Sequence, residues 1–72
     1  MIEELALVRL KKPLPDADIP VGSIGTVVMR HGGSPPAYEV EFSDSTGNTL
    51  RDTRSGYFTF TTSDEFVEVV NE

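Results

Sequence analysis

Apolar and polar residues alternate most cleanly in the stretch "AYEVEF", where Tyr38, Val40 and Phe42 fall on one side of the chain and Glu39 and Glu41 on the other. A period of two marks a β-strand with one buried and one wetted face, so residues 38, 40 and 42 are expected to line a core. "SIGTVVMR" contains β-branched Ile24, Thr26, Val27 and Val28, whose stiff side chains suit a pleated strand better than a helix. "ELALVRL" runs into Lys11 and Lys12 and then into Pro13, Pro15 and Pro20, which leave a helix no room to continue. A strand over residues 5–11 and a long excursion over 12–22 follow from that pattern. Near the other end, "YFTFTT" alternates Phe58 and Phe60 with Tyr57, Thr59 and Thr61, and "FVEVV" supplies a last strand.

The segments between these runs carry turn chemistry. "HGGSPP" reads as a loop, and in "SDSTGN" Asp44 and Ser45 are suited to bond nearby amides while Gly47 or Asn48 takes the left-handed conformation. Thr49 and Leu50 are expected to begin the return strand, with residues 51–56, "RDTRSG", interrupting it as a bulge or a loop extension. Thr62 and Glu65 have capping-box spacing, which predicts one short helical turn before the last strand. The inventory is all-β, one domain over residues 1–72, with about five antiparallel strands; in this order the elements lay out an SH3-like small barrel.

Gly22 and Gly25 stand three apart at the entrance to the second strand. A phosphate-cradling loop would have to open a helix, whose N-terminus supplies much of the anion affinity; a β-branched strand follows instead. The two glycines are therefore read as backbone devices, one for a turn and one for a close strand crossing.

Composition narrows the chemistry. A chain of 72 residues buries only about 60% of its unfolded surface, and with no cysteine and a single histidine, His31, it has neither disulfides nor a zinc site to compensate. Strand packing must supply the core, and self-association through an exposed sheet edge would add to it. Twelve acidic residues against six basic give a formal charge of −6, which disfavours binding to nucleic-acid phosphates. No apolar run approaches the ~20 residues needed to span a bilayer, and no basic leader precedes an apolar stretch, so a cytoplasmic location is expected.

No catalytic constellation emerges. His31 reads as a surface residue, no serine sits in a nucleophile-elbow context, and neither Asp16 with Asp18 nor Asp44 with Asn48 has the spacing of a calcium loop. The expectation is a protein with no enzyme activity, no metal and no cofactor. Arg9, Lys11 and Lys12, if close in space to Arg51 and Arg54, would gather a basic patch with Tyr57 as a stacking aromatic. That arrangement is the alternative, a nucleic-acid or ribonucleoprotein-associated module.

Leu14 and Pro15, then Gly22, then Gly25, Thr26, Val27 and Val28, then the strand from Tyr38 to Phe42, then Asp44, Gly47 and Thr49, resemble the pattern of DUF4926, an uncharacterised family of small bacterial and cyanobacterial proteins. The resemblance covers about residues 4–50 and fades beyond Thr49, where "RDTRSG" looks like an insertion. It implies an SH3-like barrel and an accessory or partner-binding role, and it supplies no catalytic residues. The glycine-led strand is also similar to KOW modules, which supports the nucleic-acid alternative. By analogy with SH3-like barrels, a binding face would be framed by Pro15, Asp16 and Asp18 of the first loop, by His31, Pro35 and Pro36 of "HGGSPP", and by Arg51, Arg54 and Tyr57. The partner class this suggests is another protein.

Overall fold

The computed structural model describes residues 2–53 and 55–70. Five strands form one antiparallel sheet: β1 (Leu7–Leu10), β2 (Ile24–His31), β3 (Ala37–Ser43), β4 (Phe60–Thr62) and β5 (Val67–Val69), in the order β4-β3-β2-β1-β5. The all-β expectation and the strand number hold. The expected barrel does not close: β4 and β5 are the two edges of an open sheet and do not pair with each other. Each is only three residues long, which leaves little ladder to close with.

The alternation read in "AYEVEF" is realised. Tyr38, Val40 and Phe42 are fully buried and meet Val8, Leu10 and Val27 from the neighbouring strands, while Leu14 and Ile19 of the excursion and Ile2 close over the same face. Each such aliphatic or aromatic side chain contributes about 1.5–3 kcal/mol relative to exposure. The buried Tyr38 hydroxyl accepts a hydrogen bond from the Ile2 amide at 3.0 Å, which ties the start of the chain to the sheet. Phe42 and Phe60 pack with ring centroids 5.9 Å apart.

Three boundaries differ from the sequence reading. β1 begins at Leu7 because Leu5 is left-handed (φ 68°) and 75% exposed, held by its amide bond to the Val27 carbonyl and by the Ala6-to-Glu3 turn. The expected helical turn is a single four-residue turn, closed by the Phe66 amide on the Ser63 carbonyl at 3.0 Å. Its capping box does not form: the Thr62 hydroxyl is buried without a hydrogen-bond partner, and Glu65 instead pairs with Lys12.

The third difference concerns the return strand. Ser43 bridges Thr49 and the Leu50 amide bonds the Phe42 carbonyl at 2.8 Å, so the hairpin starts as expected. An unbroken ladder from that bridge would place Asp52 opposite Val40, yet Phe60 stands there. The chain therefore extrudes the eight residues 52–59 as a loop and resumes the same alternation, with Leu50 and Phe60 both turned to the core. Tyr57 and Phe58, expected in a strand, lie in this loop and are exposed.

Candidate functional site

The excursion after β1 is pinned at its neck. The Leu10 amide bonds the Ser23 carbonyl at 2.9 Å, and the Gly22 amide bonds the Leu10 carbonyl at 2.7 Å. Between them the Ser23 amide closes a turn on the Pro20 carbonyl, with Gly22 at φ 96° in the third position, the geometry of a type II turn. Leu14 and Ile19 drop into the core, so the segment between them, Pro15 to Asp18, stands up as a wall beside the sheet.

A second wall comes from the extruded loop, and Asp52 organises it. The Asp52 amide donates to the Tyr57 carbonyl (2.9 Å), its carbonyl accepts from the Gly56 amide (2.7 Å), and its carboxylate accepts from the Ser55 hydroxyl (2.7 Å). Gly56 makes the reversal possible at φ 79°. Outside this clasp, the Arg51 guanidinium lies 5.9 Å from the Phe58 ring centroid.

Between the two walls lies a groove of about 270 Å³, floored by Leu14, Phe60 and Phe66 and rimmed by Asp16 and Asp52. That is just below the ~300–1,000 Å³ typical of small-molecule sites, and the groove is partly open to solvent. A second hollow of about 430 Å³ lies between the Pro20–Ile24 turn and the Ser43–Ser45 turn. It is larger, and two of its polar side chains are engaged in their own turns: the Ser23 hydroxyl donates to the Pro20 carbonyl, and Asp44 is occupied as described next.

Asp44 Oδ1 accepts from the amides of Thr46 and Asn48, each at 2.9 Å, and from the Thr46 hydroxyl at 2.7 Å. The Thr46 hydroxyl bond, followed by the Asn48 amide, holds the Asp44 carboxyl below its ordinary value. This is the turn capping expected of "SDSTGN", and Gly47 takes the left-handed position at φ 90°. On the outer face, Glu39 accepts from the Thr61 hydroxyl at 2.7 Å and meets His31 Nε2 at 2.8 Å, a clamp across β2, β3 and β4. Among the described residues no three or more His, Asp or Glu side chains are placed to share a metal ion.

Of the sequence-predicted binding residues, the groove gathers Pro15 and Asp16. Asp18 is on the same excursion but does not line it, and Tyr57, 70% exposed, stands outside. His31, read from the sequence as a loop residue, is instead the last residue of β2, paired with Ala37 at the start of β3; it and the loop that carries Pro35 and Pro36 lie at the far end of that eight-residue strand and do not frame the site. Arg51 is turned to Phe58, and Arg54 lies outside the described residues. Sequence reasoning missed Asp52, Thr59 and Phe66. The one available signal was the break in β-alternation after Leu50, which implied an extruded loop without showing where it would lean.

The geometry defines a small, open, single-sheet β-domain with a groove at one edge strand. The chain belongs to the DUF4926 family, a domain of unknown function whose family model matches residues 4–52. The match ends where the ladder breaks and residues 52–59 leave the sheet. None of the curated proteins and none of the solved structures matches this chain.

Proposed function

We propose that this chain is a small, non-enzymatic protein-interaction or accessory module of the cytoplasm that receives its partner in the groove between residues 14–17 and the extruded loop. The observation that carries the reading is the groove itself: an apolar floor of Leu14, Phe60 and Phe66 beneath acidic Asp16 and Asp52, beside the edge strand β4 and at the lower end of the size of small-molecule sites. The nucleic-acid alternative draws less support. Arg9 pairs with Glu68 at 3.3 Å, Lys12 with Glu65 at 2.7 Å and Arg30 with Glu3 at 3.4 Å, which offsets the charge a phosphate backbone would need.

The test is affinity purification of the tagged chain from its own cells, beside a Thr59→Arg variant that fills the groove. A protein partner recovered with the native chain and lost with the variant is the expected result. A partner set indifferent to Thr59→Arg overturns the reading. Nucleic acid retained through about 0.15 M salt would favour the alternative.

A further inference from the structure

We infer that the groove admits a short extended segment of the partner, which adds to the free edge of β4 as a sixth strand and brings a lysine or arginine to Asp16. The inference rests on the interaction reading above and specifies its ligand. Phe60 and Thr61 are consecutive residues of β4 and point to opposite faces, so a groove touched by both meets the strand at its edge and not on one face. β3 covers the other edge of β4 through the pairs Tyr38–Thr62, Glu39–Thr61 and Val40–Phe60. The groove therefore opens on the backbone groups of β4 that none of the described strands takes.

An added strand gains main-chain hydrogen bonds from such an edge and specificity from alternate side chains. Here one set of alternate side chains meets the apolar floor of Leu14, Phe60 and Phe66. Charge complementarity fixes the rest: exposed Asp16 stands at the rim on a chain of net charge −6, so a cationic residue is favoured and an acidic segment repelled.

Selection of random linear peptides against the full chain, the Asp16→Lys variant and Thr59→Arg tests this. The native chain should enrich peptides that combine apolar residues with lysine or arginine. Asp16→Lys should lose the basic preference, and Thr59→Arg should enrich nothing. Backbone N-methylation of a selected peptide on its pairing edge should weaken binding roughly tenfold per hydrogen bond removed. Selection of acidic or proline-rich peptides, indifference to N-methylation, or no enrichment over Thr59→Arg overturns the added strand. In each of those cases the interaction reading stands if the cellular partner is still lost with Thr59→Arg, and falls with it if not.

Discussion

Gly25 lies against Phe42 so closely that a β-carbon on it would stand 2.8 Å from the Phe42 ring and 2.6 Å from Val40 Cγ1. Both neighbours are fully buried core side chains, so neither has room to give. Overpacking of this kind costs about 1–3 kcal/mol, or roughly 4–24 °C in Tm for a domain of this size. Gly25→Ala should show that loss by thermal unfolding and Gly25→Val a larger one. Gly32→Ala, whose β-carbon would meet nothing within 4 Å, should leave Tm nearly unchanged.

The Tyr38 hydroxyl supports a second prediction. It sits in the core yet serves the Ile2 amide, so Tyr38→Phe keeps the packing and removes only the acceptor. A cost of about 1 kcal/mol is expected, because the start of the chain can recover part of the loss by turning to water. Equal Tm values for Tyr38→Phe and the native chain would show that the bond contributes nothing.

Asp44 makes stability depend on acidity in a defined sense. Its carboxyl is held down in the folded chain by the Thr46 hydroxyl and the Asn48 amide, so its contribution is complete above the unfolded value near 3.9 and is lost as pH falls through the lower folded value. Asp44→Ala should lower Tm at neutral pH, and the gap from the native chain should narrow below about pH 4. Asp44→Asn, which keeps an acceptor without the charge, should remove the acid dependence that this residue supplies.

Excising residues 52–59 should repair the return strand. Joining Arg51 to Phe60 sets Phe60 opposite Val40, Thr61 opposite Glu39 and Thr62 opposite Tyr38, the pairs already present, and puts Arg51 opposite Glu41. Closing an eight-residue loop costs about 1–2 kcal/mol, and the loop's Tyr57 and Phe58 are exposed, so little burial is lost. The shortened chain should fold with Tm equal or higher and lose the partner binding proposed for the groove. A molten, non-cooperative chain would show that the loop is part of the fold's support.

The register of this repair explains what the sequence disclosed. Tyr38, Val40 and Phe42 announced their strand because burial on one face writes itself into alternation, and Gly22, Asp44 and Gly47 announced their turns because few other residues take those backbone angles or bonds. "YFTFTT" announced a strand three residues too early: alternation is local, whereas the Asp52 clasp that holds Tyr57 in the loop joins residues that carry no shared periodicity. Closure of the sheet is less visible still, being a relation between β4 and β5 across the whole chain. At the site, Pro15 and Asp16 were legible as features of an exposed proline-rich loop. Asp52, Thr59 and Phe66 were not, because their meeting in one groove depends on three segments leaning together.

An open sheet also has a colloidal cost. Two edges that no described strand covers are templates for other copies of the same chain, and at neutral pH mutual repulsion between molecules of charge −6 guards against that pairing alongside the shortness of the edge strands. Near the isoelectric point of about 4.5 the repulsion vanishes while the edges remain. Light scattering should accordingly rise in that narrow acid range and recede on either side of it, marking the pH at which the edge strands meet their own kind.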